Sequence, residues 1–237
     1  MVWLRGRDFL MIRKGSFMIE YVNPSEYKPY RLQCHNLLAG LPGKMKEQGI
    51  SCILSNTGSM RQHLITRSLS EPMDFDVNLV ITYPDILVLN RMVGAGEFKR
   101  RVMEALRELM GEVPGFSRME DSTSVITVWD EKERFKVDLA IISTNRAGQA
   151  VILHHIRKED PEPDQYLWQI MPDFSRVEKK SQSIPSALRG YFRALYLRKQ
   201  NDYEVREGRR RSSYEIYRET VNEVYQLALS KGLLDLN

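Results

Sequence analysis

The chain of 237 residues has little of what defines several protein classes. Cys34 and Cys52 are its two cysteines, and without a C-x-x-C spacing they indicate neither a disulfide framework nor a zinc site. Fourteen glycines and ten prolines are too few for a collagen-like or low-complexity chain. No apolar run approaches the roughly 18 residues that a membrane span needs. We therefore predict a globular, cytoplasmic protein without a membrane partner.

The chain also has little excess of charge of one sign: 35 Lys and Arg and 31 Asp and Glu give a net charge of +4. The surplus is local. Residues 171–211 contain eleven basic and five acidic residues, and residues 181–200 contain no acid. Arg189 and Arg193 lie there beside Tyr191, Phe192 and Tyr196, so we predict that they bind nucleotide phosphates or RNA. The alternative is an amphipathic helix with a solvated basic face.

The hydrophobic pattern predicts an α/β fold with a mixed sheet and a small C-terminal helical region. Alternating or β-branched runs predict strands at 50–54, 75–83, 124–129 and 135–142, with a further one near 150–154. Helical spacing predicts helices at 30–39, 60–67, 97–112, 186–199 and 214–231. A Pro-rich polar break at 160–164 suggests three parts: an N-terminal segment and helix at 1–48, a core at 49–160 and a helical region at 161–237.

Three acids stand out against this pattern. On a strand, Asp74 and Asp76 point to one face while Phe75 points to the other, and two neighbouring carboxylates repel unless a cation lies between them. Asp138 is a third acid, inside the apolar run 135–142, where an unpaired charge is costly. Each acid alone has a structural explanation, since Asp-x-Asp is common in caps and turns, and Asp138 could pair with an arginine or lie on a wet face.

The loop before these acids strengthens a functional reading. Gly58 and Ser59 follow a short apolar strand and open a helix, where backbone N–H groups and a hydroxyl can approach a phosphate. A Gly-Ser pair after a strand, then Asp-x-Asp opening the next strand, then an acid in a later strand, is a far more specific combination than any single part.

This combination resembles the nucleotidyltransferase superfamily of DNA polymerase β. Within it, Thr57-Gly58-Ser59, Asp74-Phe75-Asp76-Val77 and Val137-Asp138-Leu139 are most similar to the branch of cyclic GMP-AMP synthase and the bacterial cyclic-oligonucleotide synthases. The resemblance covers about residues 50–145. It implies a polymerase-β-like mixed sheet with helices.

The resemblance also implies a reaction. Gly58 and Ser59 would hold the triphosphate of a nucleoside triphosphate, and Asp74 and Asp76 would bind two Mg²⁺ ions, with Mn²⁺ as an alternative. Asp138 would complete the metal site near the attacking hydroxyl. The expected activity is transfer of a nucleoside monophosphate to a hydroxyl acceptor with release of pyrophosphate, and the acceptor is open among a nucleotide, an RNA end, a protein and a small molecule.

A second hypothesis also stands. The same fold could bind nucleotide or RNA through its basic helix without catalysis. The three clustered acids favour the enzyme, because an inactive site has little reason to keep them.

Overall fold

The computed structural model describes residues 19–68, 72–158, 162–206 and 212–234. The first half contains β1 (Glu20–Tyr21), α1 (Pro24–Ala39), α2 (Leu41–Glu47), β2 (Ser51–Asn56), α3 (Gly58–Gln62), β3 (Thr66–Arg67), β4 (Met73–Tyr83), α4 (Ile86–Met92) and α5 (Ala95–Glu112). The second half contains β5 (Arg118–Asp121), β6 (Val125–Asp130), β7 (Phe135–Thr144), β8 (Ala150–Ile156), β9 (Gln165–Ile170), α6 (Ser175–Ser183), a 3₁₀ turn (Ser186–Leu188), α7 (Arg189–Arg206) and α8 (Ser213–Ser230).

These elements match most of the predicted ones, with informative differences. The helix predicted at 60–67 is wrong: α3 ends at Gln62 because His63 adopts a left-handed conformation, and Thr66–Arg67 form β3 instead. The short α4 was not predicted; the side chain of Asp85 caps it by accepting hydrogen bonds from the amides of Leu87 and Val88. The predicted break at 160–164 lies partly outside the described residues.

A seven-stranded mixed sheet forms the centre of the molecule. Its main strand order is β2-β4-β7-β6-β5, and β8 and β9 extend it from the far part of β7. The pairing of β4 with β7 is parallel, and the other pairings in this sheet are antiparallel. β9 lies beyond the predicted boundary at residue 160, so the sheet contains strands from both sides of that boundary. The division into three parts stays a prediction.

The two faces of the sheet differ in chemistry. On β4, Phe75, Val77 and Leu79 are buried in the main core, whereas Asp74 and Asp76 point to the opposite face, as the alternation predicted. Helices α1, α2 and α5 contribute to the same core cluster. The residues of α5 in this core are Phe98, Val102, Ala105, Leu106 and Leu109. Burial of one face against helices leaves the carboxylate face open to a cleft.

The C-terminal helices form the other wall of that cleft around a second core cluster. Ile184, Phe192, Tyr217 and Val221 are buried in it, together with Leu64 from the loop after α3. Ser212 and Glu215 form a capping box at the start of α8. Among the described helices, none combines the length and the apolar composition that a membrane span requires.

Candidate active site

The three predicted acids meet at one point of the open sheet face. Because β4 and β7 are parallel neighbours, Asp76 lies beside Asp138 in register, and Asp74 lies two residues away on the same face. The carboxylate oxygens that the three residues offer lie within 4.8 Å of one another. Among the described residues, these three acids are the group of His, Cys, Asp or Glu side chains that lie close enough together to hold a metal ion.

Their proximity changes the acidity of two of them. Burial, followed by the charge of Asp138, raises the pKa of Asp76 to about 6, although the backbone amide of Ser59 and the Lys136 ammonium oppose this. Burial and the charges of Asp76 and Asp138 raise the pKa of Asp74 well above its usual value. A cation between the carboxylates would remove this repulsion.

Asp138 is held by two neighbours that lie outside the predicted site residues. The Thr127 hydroxyl, opposite Asp138 on β6, donates a hydrogen bond of 2.6 Å to its Oδ1. The Lys136 ammonium donates one of 2.5 Å to its Oδ2. Lys136 could have been found in the sequence, since residues two apart on a strand share a face. Thr127 could not, because its position depends on the register of the β6–β7 hairpin.

Gly58 lies against the acids. Its φ of +54° is a left-handed conformation, and a Cβ there would lie 2.1 Å from Asp76 Oδ2. The amide of Thr57, just before Gly58, donates a hydrogen bond of 3.1 Å to the backbone carbonyl of Asp76. The backbone of the predicted phosphate loop is therefore in direct contact with the carboxylate group.

A divalent ion fits this set of residues. Asp74 Oδ1 is shielded from solvent and has no hydrogen-bond partner among the described residues, although the side chain as a whole is 43 % exposed. An all-carboxylate donor set with one unsatisfied oxygen suits a hard cation such as Mg²⁺. The close approach of Gly58 also leaves no room for a side chain between the loop and the acids.

A cavity of about 380 Å³ extends from Asp74 and Asp76 into the cleft, and Asp138 is not among the described residues that line it. The strand side contributes Asp74, Asp76, Gly58 and Ser59, all of which were predicted site residues. The helical side contributes an aromatic wall. Its members are Phe174 before α6, Tyr196 on α7, and Tyr214 and Tyr217 on α8. The rings of Phe174 and Tyr214 are 4.5 Å apart at an angle of 66° and are partly exposed, whereas Tyr196 and Tyr217 are buried.

Arg189 and Arg193 are placed differently from the predicted acids. Arg189 donates a hydrogen bond to the carbonyl of Ser181, and Arg193 donates one of 2.7 Å to the carbonyl of His63. The Arg193 guanidinium also lies over the ring of Tyr21, 4.1 Å from its centroid. Neither arginine is among the described residues that line the cavity. Their nucleotide-binding role stays a prediction.

Among the described residues that line the cavity there is one cation, and it lies outside the predicted site residues. Arg61 on α3 and Glu178 on α6 both line it and form an ion pair of 2.9 Å that joins the two walls. Arg61 lies two residues after Ser59 and lines the same cavity as the predicted phosphate loop. The sequence carries the signal in this short spacing, whereas its partner Glu178 depends on how α6 packs.

Sequence comparison alone does not classify the chain: no family model matches it, and no curated protein matches it. Comparison with solved structures identifies the fold. The chain is similar to the GTP-bound form of DncV from Vibrio cholerae, with a TM-score of 0.55 and 16 % identity over 86 % of this chain and 52 % of that chain. It is also similar to Escherichia coli DncV bound to 3′-deoxy GTP, with a TM-score of 0.53 and 14 % identity over 86 % and 54 % of the two chains.

A third similar structure is Vibrio cholerae DncV cyclic AMP-GMP synthase in complex with the linear intermediate 5′ pppA(3′,5′)pG. Its TM-score is 0.53 at 15 % identity, over 86 % of this chain and 54 % of that chain. The chain therefore has the polymerase-β-like fold of these DncV structures, which confirms the predicted fold class. The chain spans about half the length of the DncV structures that it matches.

Proposed function

We propose that the protein is a nucleotidyltransferase that uses Mg²⁺, or Mn²⁺ in its place. It transfers a nucleoside monophosphate from a nucleoside triphosphate to a hydroxyl acceptor and releases pyrophosphate. The observation that carries this proposal is the convergence of Asp74, Asp76 and Asp138 within 4.8 Å, beside the backbone of Gly58 and next to a cavity that Asp74 and Asp76 line.

Asp74, Asp76 and Asp138 would hold two divalent ions. Ions bound there would neutralise charge on the phosphate oxygens and stabilise both the entering and the leaving oxygen of an in-line displacement. The unsatisfied Oδ1 of Asp74 and the raised pKa values of Asp74 and Asp76 support this assignment, because both describe carboxylates that lack enough positive charge. DncV structures with GTP and with 3′-deoxy ATP support a nucleoside triphosphate as the partner.

The loop and the aromatic wall would bind the two ends of this nucleotide. Gly58 and Ser59 present backbone next to the acids, and Arg61 supplies a positive charge for the β- or γ-phosphate. On the opposite wall, the partly exposed rings of Phe174 and Tyr214 can stack on a base. The cavity between them joins an anion-binding end to a stacking end.

Asp138 would assist the chemical step. The acceptor hydroxyl loses its proton to the Asp138 carboxylate as its oxygen bonds to the α-phosphorus, and the bond from that phosphorus to the bridging oxygen breaks to release pyrophosphate. Thr127 and Lys136 each occupy one lone pair of Asp138, which fixes the orientation of the lone pairs that remain. Positioning and charge neutralisation account for most of the catalysis in such transfers, so no covalent nucleophile is needed.

The alternative is an inactive module that binds nucleotide or RNA. The basic surplus of residues 171–211 is its main support. Against it, Arg189 and Arg193 are engaged in hydrogen bonds within the protein, and the acids form a tight group on the cleft face.

A direct assay separates these functions. The protein is incubated with each nucleoside triphosphate, labelled at the α-phosphate, and with Mg²⁺ or Mn²⁺. Pyrophosphate release is measured, and cyclic, linear, RNA-linked, protein-linked and small-molecule products are resolved. We expect metal-dependent pyrophosphate release, and the labelled product identifies the acceptor.

Variants make the assay specific to the site. Asp76→Asn keeps the shape of the side chain but removes its charge, so we expect it to abolish turnover. Asp202→Asn on α7 is the matched control, because it removes the same charge from an exposed position, and it should retain wild-type activity. Turnover that persists in Asp76→Asn would contradict the metal assignment, and salt-sensitive RNA binding without pyrophosphate release would support the binding module.

A further inference from the structure

Lys136 is a cation inside the carboxylate group, and the sequence motif does not account for it. Its Nζ lies 2.5 Å from Asp138 Oδ2 and 3.4 Å from Asp74 Oδ2, so it bridges two acids that stand on different strands. The side chain is 20 % exposed. The register explains the placement, because Lys136 is the cross-strand neighbour of Asp74 and lies two residues before Asp138.

The Lys136 side chain is also held by a contact away from the acids. Trp129 is its cross-strand neighbour on β6, and the ammonium lies 5.6 Å from the centroid of that ring. Arg118 on β5 lies over the same ring at 4.4 Å. Arg118, Trp129 and Lys136 therefore form a row of side chains across β5, β6 and β7. This row supports the Lys136 side chain and holds its ammonium beside the acids. A lysine held in this way has little freedom to leave them.

We propose that Lys136 is a positioning residue with two linked effects on the site. It holds the Asp138 carboxylate, together with Thr127, in the orientation that serves the acceptor hydroxyl. As the internal counter-ion of the acids, it also limits how tightly they bind divalent ions before the nucleotide arrives. The first effect rests on the proposed function; the second requires only that the acids bind a divalent ion.

The two effects have opposite signs when the charge is removed. Without the ammonium, the acids present one more uncompensated negative charge, which strengthens their attraction for a divalent ion. Asp138 loses one of its two supports at the same time, and a small displacement of a reacting group lowers the rate. A residue with a purely structural role would weaken both properties together.

The test measures Mn²⁺ binding by calorimetry in the absence of nucleotide, and steady-state turnover with nucleoside triphosphate. Lys136→Met keeps the aliphatic stem on Trp129, and we expect it to bind Mn²⁺ about 3- to 10-fold more tightly than wild type. Its kcat should fall about 10- to 100-fold with little change in KM for the nucleotide. Lys136→Arg keeps the positive charge, so its Mn²⁺ affinity should equal that of wild type. Its kcat should lie between those of wild type and Lys136→Met.

Two further variants isolate the contributions. Thr127→Val removes the other support of Asp138 without a change in charge, so it should lower kcat while the Mn²⁺ affinity does not rise. Lys132→Met removes the same charge from the β6–β7 turn, where the side chain is 89 % exposed, and should leave both properties unchanged. Circular dichroism and thermal unfolding confirm that each variant is folded. If Lys136→Met does not fold, Lys136→Arg is used for the test. An Mn²⁺ affinity of Lys136→Arg that departs from wild type then overturns the proposal.

Tighter Mn²⁺ binding with slower turnover in Lys136→Met supports the proposal. Unchanged or weaker Mn²⁺ binding overturns it, whatever the activity, and so does tighter binding with a wild-type kcat. A wild-type protein that binds Mn²⁺ but releases no pyrophosphate contradicts the proposed function instead. Because Mn²⁺ affinity is measured without turnover, the two failures are distinguishable.

Discussion

Arg61 of α3 and Glu178 of α6 join the two walls of the cleft through an ion pair of 2.9 Å. The side chains are 54 % and 38 % exposed, and ion pairs of this kind contribute only about 0.2–1 kcal/mol. The pair can therefore separate at small cost. A triphosphate at Gly58 and Ser59 would offer Arg61 a more highly charged partner than Glu178.

This competition predicts the effect of Glu178→Gln. The variant removes the carboxylate that competes for Arg61 and one negative charge that repels the triphosphate, so KM for the nucleotide should fall about two- to fivefold, with kcat little changed. Arg61→Gln should raise KM. The measurement is steady-state pyrophosphate release.

Glu104→Gln is the control for this charge change, because Glu104 lies on α5 and is not among the described residues that line the cavity. It should leave KM at the wild-type value. A KM that rises in Glu178→Gln would show that the ion pair supports the nucleotide site rather than competing with it.

Gly58 gives a second prediction, from sterics. Gly58→Ala would place a Cβ 2.1 Å from Asp76 Oδ2 at a φ of +54°, so the loop or the carboxylate must move. We expect the Mn²⁺ affinity to fall about 10-fold or more and turnover to be lost, since about 1.4 kcal/mol of distortion is already tenfold. Calorimetry and the pyrophosphate assay measure these changes.

The matched control is Gly111→Ala near the end of α5. A Cβ at Gly111 meets nothing within 4 Å, and the residue is helical, so this variant should have wild-type Mn²⁺ affinity and equal or higher stability. Wild-type metal binding by Gly58→Ala would show that the contact between the loop and Asp76 is not needed for the site.

Stability should depend on metal and pH together. Burial and the charge of Asp138 raise the pKa of Asp76 to about 6, so between about pH 4 and pH 6 the folded protein binds more protons than the unfolded chain. For the metal-free protein, this group therefore lowers the free energy of unfolding as the pH rises through that window. The cost is fully present near neutral pH, where a divalent ion can offset it.

We accordingly expect Mn²⁺ to raise the Tm by several degrees at about pH 7.5 and by much less at about pH 5, where the acids carry protons. Asp76→Asn should raise the Tm of the metal-free protein at about pH 7.5 by about 2–4 °C, since roughly 1 kcal/mol corresponds to such a shift for a chain of this size. It should also lose most of the Mn²⁺ effect. Differential scanning fluorimetry measures both, and an equal Mn²⁺ effect at the two pH values would contradict the assignment of these acids.

The sequence predicts the strand that carries the first two acids because a half-buried strand has a period of two. Asp74 and Asp76 could be assigned to one face, and Phe75 to the other, from that alternation alone. The pairing of β4 with β7 connects distant parts of the chain, so no local pattern places Asp138 beside Asp76. The resemblance to known nucleotidyltransferases supplied that link.

The helical wall of the cleft shows where local patterns fail. The apolar spacing of α8 predicts its buried face, and Tyr217 and Val221 lie on it. Which side of the helix faces the cavity depends instead on how α6 and α8 pack together, and Phe174 comes from a loop before α6. The aromatic wall is a product of long-range packing, so local patterns do not predict that its four members meet.

His63 gives the last prediction. It ends α3 with φ at 55° and ψ at 38°, a left-handed conformation that costs a residue with a Cβ about 1–2 kcal/mol. Its contacts to α3 and α7 use the backbone, since its amide bonds to Ser59 and its carbonyl accepts from Arg193. His63→Gly should therefore keep these bonds and raise the Tm by about 2–4 °C in thermal unfolding, whereas His63→Ala, which keeps a Cβ, should not. A Tm that rises equally in both variants would show that the imidazole, rather than the backbone conformation, is the source of the cost.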